Sequence, residues 1–272
     1  GKKVAKVLLP VFPGTNCDYD TARAFQQAGG EVQVLVFRNR TEEDIQESLK
    51  EFSKAIFECD ILAICGGYST VDEPNSVAKF IANVLCKDMI RKEIDLLVKR
   101  SGLILGIGSG FNALVKVGLL PNGNYHIDAN SPVLVCNQIN RHVSKIVKTR
   151  VSSINSPWLS SFVIGEVHNI PFSHSNGKFV INEKIAKELF SNNQIAFQYC
   201  DQNGKVSNNP KHNPTGSFYV IEGIISKDGQ ILGKMGHSER FGDNVLKNIY
   251  GNKVQNIFEN AINYIKKENH IE

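Results

Sequence analysis

The sequence lacks the usual signals of a nucleic-acid binder, a membrane protein or a secreted protein. Its net charge is only +4, from 31 basic and 27 acidic side chains. Its lysines cluster only in the short pairs Lys2-Lys3 and Lys266-Lys267, so no nucleic-acid partner is expected. No apolar run nears the ~20 residues that span a bilayer, so no membrane association is expected. Six cysteines occur without a C-x-x-C pair. With no leader-like start, they read as reduced thiols of a cytoplasmic protein rather than a disulfide frame. Seven histidines fall into no H-x-x-x-H or His/Cys cluster, which leaves no metal centre to expect. What is present is enough apolar sequence, 42%, for a sizeable core, and too few charges for disorder.

The first half alternates strands and helices. Val4 to Phe12 is a nearly continuous apolar run, as in a parallel strand covered on both faces. A turn at Pro13-Gly14-Thr15-Asn16 leads into a helix over Asp18–Ala28, stopped by Gly29-Gly30. Strands follow at Glu31–Phe37, Asp60–Cys65 and Gly102–Ile107. Between them lie a helix capped by Thr41 and a helical stretch from Pro74 to Arg100 with a break near Lys87-Asp88. This spacing predicts an α/β fold with a doubly wound, mostly parallel sheet, whose ligands sit beyond the carboxyl ends of the strands. The second half contains short β-prone runs at 132–136, 143–151, 165–170 and 195–199. A hairpin is expected from Ser217–Ser226 and Ile231–Met235 around Lys227-Asp228-Gly229, and a closing helix over Lys253–Lys267. These predict added antiparallel strands.

Two segments carry the chemistry. Leu105-Gly106-Ile107-Gly108-Ser109-Gly110-Phe111-Asn112 leaves a strand and enters a helix, with the glycine spacing of a nucleophile elbow. Its tip is Gly108, so the turn is present and the reactive atom is not. The superficial likeness to a nucleotide loop fails on spacing, and no Walker lysine follows. Gly233-Lys234-Met235-Gly236-His237-Ser238-Glu239-Arg240 ends the last β-like run. A histidine oriented by a carboxylate is what a thiol or hydroxyl nucleophile needs. On spacing alone, a surface histidine beside a helix-start glutamate explains the pair more plainly. Two other nucleophiles stay open, Ser109 and Cys65, each paired with His237 and Glu239. A non-catalytic pocket that binds an amide also stays open.

Together with Phe12-Pro13-Gly14-Thr15-Asn16-Cys17, these segments resemble the class I (triad) glutamine amidotransferases. More narrowly they resemble the glutaminase domains of phosphoribosylformylglycinamidine synthases. Asp72-Glu73-Pro74, Arg141-His142-Val143, Pro171-Phe172-Ser173-His174, Asn213-Pro214-Thr215-Gly216-Ser217 and Asn248-Ile249-Tyr250-Gly251 fit the same pattern. Asn155-Ser156-Pro157-Trp158-Leu159 is similar to the large single-chain type. The resemblance implies a flavodoxin-like sheet and one domain over residues 1–272, forming the C-terminal part of a larger synthase chain. It implies glutamine as substrate and the synthetase domain as partner. ATP and magnesium belong to that synthetase part, and no cofactor to this one. It also implies roles for residues: His237 as general base and acid, Glu239 orienting it, Gly66, Gly67 and Ser109 at the oxyanion, and Asn112 and His174 at the substrate.

Against the family pattern, six positions depart. Gly108 stands where the family has its cysteine, Ser109 where it has Asn, and Asn112 where it has Gln. Val71 replaces a glycine, and Ser175-Asn176 replaces Gly-Glu. Loss of the nucleophile from such a unit costs on the order of 10⁶ in rate. The resemblance with these departures therefore implies a glutaminase-type domain whose hydrolysis is lost or very weak.

Overall fold

The computed structural model describes residues 4–15, 18–66, 76–135, 143–174, 177–240 and 255–269. For residues 18, 143, 144 and 174 it describes the backbone alone.

Four parallel strands begin the sheet: β1 (Lys6–Val11), β2 (Glu31–Val36), β3 (Ile61–Cys65) and β4 (Leu103–Ile107). Every residue of β3 and β4 is buried, which is why each reads as an unbroken apolar run. The helices between them are α1 (Asp18–Gln27), α2 (Glu42–Glu58), α3 (Ser76–Leu85) and α4 (Asp88–Lys99). The Thr41 side chain caps α2 by accepting from the Asp44 N–H at 3.0 Å, as its sequence predicts. The stretch from Pro74 to Arg100 divides at Lys87, where an extended backbone separates α3 from α4.

After β4 come α5 (Ser109–Lys116), the short α6 (Leu119–Asn122), β5 (Val133–Val135), β6 (Val143–Val151), β7 (Val167–His174), β8 (Lys178–Val180), α7 (Glu183–Ser191) and β9 (Ile195–Tyr199). The chain closes with β10 (Ile221–Ile225), β11 (Ile231–Lys234) and α8 (Ile257–Glu268). Nine strands form one sheet in the order β2-β1-β3-β4-β11-β10-β9-β6-β7. The strands from β2 through β11 run parallel, and those from β11 to β7 alternate in direction. The expected antiparallel strands thus continue the main sheet, apart from the separate pair β5–β8. One face is covered by α2, α3, α4, α5 and α7. The other is covered by α1, α8 and the turn at Pro157–Leu159. Among the described residues no helix is long and apolar enough to cross a membrane.

Some boundaries differ from the sequence reading. The expected strand over Ser217–Ser226 begins only at Ile221. Phe218–Val220 is a 3-10 turn, with Tyr219 and Val220 at φ 55° and 49°, a backbone that no strand contains. β7 runs on to His174 because it pairs with β6 along its whole length. Helix α7 was not anticipated, although Asn182 caps it by accepting from the Ile185 N–H. Ile185, Ala186 and Leu189 follow at helical spacing.

Two of the conspicuous sequence motifs turn out to tie loops together. Ser156 Oγ donates to the Gly229 carbonyl, and Trp158 Nε1 donates to the Gln230 carbonyl. The hairpin turn is thereby fastened to the Pro157–Leu159 turn. Asn213 brackets Ser217 through both its amide groups, and Ser217 Oγ in turn reaches the Gly177 carbonyl.

Candidate active site

The carboxyl ends of β1, β3, β4 and β11 lie at the same edge of the sheet, and each contributes a loop. After β1, Thr15 Oγ1 donates to the Phe12 carbonyl and accepts from its N–H, closing the turn at Pro13-Gly14. Asn16 and Cys17 lie outside the described residues. After β3, the Gly66 N–H donates to the Ile107 carbonyl at 2.9 Å. The rest of that loop, Gly67 and the departure at Val71 included, lies outside the described residues.

The elbow after β4 has the backbone that its sequence predicts. Gly108 sits at φ 63°, ψ −118°, a conformation that side chains other than glycine adopt only under strain. Its N–H donates to the Lys234 carbonyl, and its carbonyl accepts from the Asn112 N–H, both at 3.0 Å. The flanking glycines are needed for packing. A Cβ on Gly106 would collide with Leu114 and the Gly110 backbone, and one on Gly110 with the Ile64 carbonyl; across the turn, one on Gly66 would collide with Ser109. Ser109 thus begins α5 directly against the end of β3. Asn112 is buried in the first turn of α5.

β11 lies beside β4, with Lys234 in register with Ile107. Three residues further on is His237, whose N–H donates to the Pro171 carbonyl of β7 at 2.8 Å. His237 Nδ1 and Glu239 Oε1 are 2.5 Å apart, and both side chains are fully buried. Burial raises the Glu239 carboxyl pKa. His237 and then Arg240 pull it down further, and the net result lies below the usual carboxylate value. An ionised Glu239 accepting from Nδ1–H leaves Nε2 as the ring's reactive nitrogen, the arrangement a general base requires. The elbow tip and the pair therefore sit on neighbouring strand ends. The surface-histidine explanation fails on burial.

Cys65 is a poor substitute nucleophile. Burial, reinforced by Glu239, pushes its thiol far above the ordinary value despite a hydrogen bond with Thr21 and the charge of Lys234, so it stays protonated. The His174 backbone pairs with Val143 at the end of β7. Its side chain, with Ser175 and Asn176, lies outside the described residues.

Sequence reasoning missed a second buried pair. Lys234 Nζ lies 2.8 Å from Glu222 Oε1, with both side chains fully buried. Lys234 also donates to the Gly236 carbonyl, and Glu222 accepts from the Gly236 N–H. The two charges thus grip both polar groups of the residue before His237. A signal existed: each charge interrupts an otherwise apolar strand, and the strands are the two arms of one hairpin.

Comparison with known proteins agrees with this architecture. Residues 4–265 match the family described as the CobB/CobQ-like glutamine amidotransferase domain. The chain is 32% identical over 243 residues to the phosphoribosylformylglycinamidine synthase subunit PurQ of Sulfurimonas denitrificans, covering 89% of this chain and 93% of that one. It is 31% identical over 264 residues to the subunit of the same name from Pyrococcus horikoshii, covering 97% and 100%. Among solved structures, a chain of PurLQS from Thermotoga maritima superposes with a TM-score of 0.66 at 23% identity, over 97% of this chain and 100% of that one. The glutaminase domain of Trypanosoma brucei CTPS gives 0.55 at 10% identity, over 99% and 95%. These two structures share the α/β fold.

Proposed function

The chain belongs to the CobB/CobQ-like glutamine amidotransferase family, and from that premise we propose that it is the glutaminase-type domain of a phosphoribosylformylglycinamidine synthase whose own hydrolysis of glutamine is lost or very weak. The observation that carries this reading is Gly108, at the tip of an elbow with φ 63°, on the strand next to the one that presents His237 and Glu239.

In an intact site of this kind, a thiolate attacks the glutamine side-chain amide. Ammonia leaves as a thioester forms, and water then releases glutamate. The histidine moves the protons and the carboxylate orients it. The N–H of the residue after the nucleophile and those of the glycine loop hold the developing oxyanion. In this chain His237 and Glu239 supply the acid–base pair, and Ser109 and Gly67 the N–H donors; Gly66, expected among them, instead commits its N–H to the Ile107 carbonyl. Asn112 and His174 are the substrate-side residues. No atom at position 108 can form the thioester.

The domain's remaining role is to pack on a synthetase, which holds ATP and magnesium and forms the amidine in purine biosynthesis. The relatives' names support such a partner. Those relatives are separate subunits, so the single-chain arrangement rests on the pattern at Asn155–Leu159. A cytoplasmic setting follows from the free thiols and the biosynthetic role.

The test is glutamine hydrolysis measured with the synthetase present. We expect no turnover above a His237→Ala control, and turnover at ordinary family rates would end the proposal. Gly108→Cys should recover little activity, because Asn112, Val71 and Asn176 still depart from the family pattern. Displacements of ~1 Å in such positions cost ~100-fold.

A further inference from the structure

Four side chains outside the histidine–glutamate pair form an unbroken hydrogen-bonded chain that ends between its two members. Ser238 Oγ donates to Gln255 Oε1 at 2.6 Å. Gln255 Nε2 lies 3.2 Å from His168 Nδ1, and His168 Nε2 lies 2.6 Å from Glu166 Oε2. Ser238, Gln255 and His168 are buried, whereas the Glu166 side chain reaches solvent.

With His168 neutral, one set of proton positions satisfies all four groups. The Glu166 carboxylate accepts, so His168 carries its proton on Nε2. Burial lowers the His168 pKa below its ordinary 6.5, with Glu166 opposing and the Lys234 charge assisting. The Phe162 ring, 5.0 Å away, packs against the imidazole. The ring is therefore neutral at pH 7 and Nδ1 is an acceptor. Gln255 must turn its NH₂ toward Nδ1, which leaves its carbonyl for the Ser238 hydroxyl. A single proton on His168 thus decides whether Ser238 donates or accepts.

We propose that Glu166, His168, Gln255 and Ser238 form a positioning relay that aims the His237–Glu239 pair. Ser238 lies between the two members, so holding it from the side fixes the direction of both neighbours. Strand β7 then grips the segment at two points, through the Pro171 carbonyl on the His237 N–H and through His168 by way of Gln255. A polar chain of this length is costly to bury unless every member is satisfied, and when it is satisfied it specifies one arrangement. The inference rests on the proposed role of the pair. Its test reads the pair's proton rather than turnover, so the two ideas can fail separately.

Nitrogen-15 histidine spectra of the full chain provide that test. At pH 7, His168 should be neutral with its proton on Nε2. The proton between His237 and Glu239 should appear far downfield and exchange slowly. Ser238→Ala should speed that exchange about fivefold, the equivalent of one ordinary intramolecular hydrogen bond. Ser238→Thr, which keeps the hydroxyl, should leave it slow. Gln255→Glu, which has nearly the same shape but cannot donate, should bring His168 to its charged form at pH 7. Unchanged exchange in Ser238→Ala, a proton on Nδ1 of His168, or a neutral His168 in Gln255→Glu would each overturn the relay.

Discussion

The end of β4 and the segment after β11 lie side by side, yet they are built on opposite plans. The β4 end is made of backbone. Gly106, Gly108 and Gly110 form the turn, Gly66 lies across it against Ser109, and the hydrogen bonds that hold Gly108 and Gly66 are between main chains. The β11 end is made of buried polar side chains: Lys234 with Glu222, His237 with Glu239, and Ser238 with Gln255. A side chain can be absent from the tip of a backbone-built turn without leaving any partner stranded. In the polar segment each member is the other's compensation, so removal of one leaves a buried charge or hydrogen-bonding group unpaired. A glycine at the tip is therefore compatible with a fully formed His237–Glu239 pair beside it.

The largest effect that would test this contrast comes from the polar side. Lys234→Met should destabilise the fold by ~3–5 kcal/mol in denaturant unfolding, because Glu222 is left charged and buried. Adding Glu222→Met should recover most of that loss, though not all, since the Gly236 N–H loses its acceptor. A double variant as unstable as the single one would break the comparison. On the backbone side, Gly108→Ala should cost ~1–3 kcal/mol, the strain of a Cβ at that φ and ψ. If it costs nothing, the tip is not held in the conformation described.

Acid should act on the polar side as well. His168 has a lowered folded pKa, so above the ordinary 6.5 it is neutral whether folded or unfolded and contributes nothing. Below that value the unfolded chain takes up the proton first, and stability falls by at most ~1.4 kcal/mol per pH unit. Glu239 has a lowered folded pKa too. Its contribution is present above the ordinary carboxylate value and is lost as pH falls through the folded one. His168→Gln should flatten the first of these windows in a pH series of unfolding curves, and an unchanged slope would remove His168 as its cause. The smallest effect belongs to a control distant from both strand ends. Thr41→Ala should cost ~1 kcal/mol through loss of the α2 cap, with no change in the His237 proton signal.

Much of the fold was legible because it follows local rules. β3 and β4 are unbroken apolar runs, Thr41 is a cap, and the elbow glycines announce a turn. Phe218–Val220 was misread because Phe, Tyr and Val are good strand residues, while the loop pinned by Asn213 and Ser217 forces positive φ on two of them. Of the site, the elbow and the His-x-Glu pair were legible. The relay was not, since Glu166 and His168 lie some 70 to 90 residues from Ser238 and Gln255 in the chain and share no spacing rule. The Lys234–Glu222 pair left a trace as two charges inside apolar strands, but only the hairpin says that they meet.

The sequence by itself determined the strand–helix alternation, the sharp turn after β4 and the glycine at its tip. Each depends on residues within a few positions of one another. Only the tertiary structure decided that His237 and Glu239 are buried beside that turn, that the Cys65 thiol is buried and held protonated, and which buried groups satisfy one another. Burial and hydrogen-bond pairing are properties of distant segments brought together, and no local pattern encodes them.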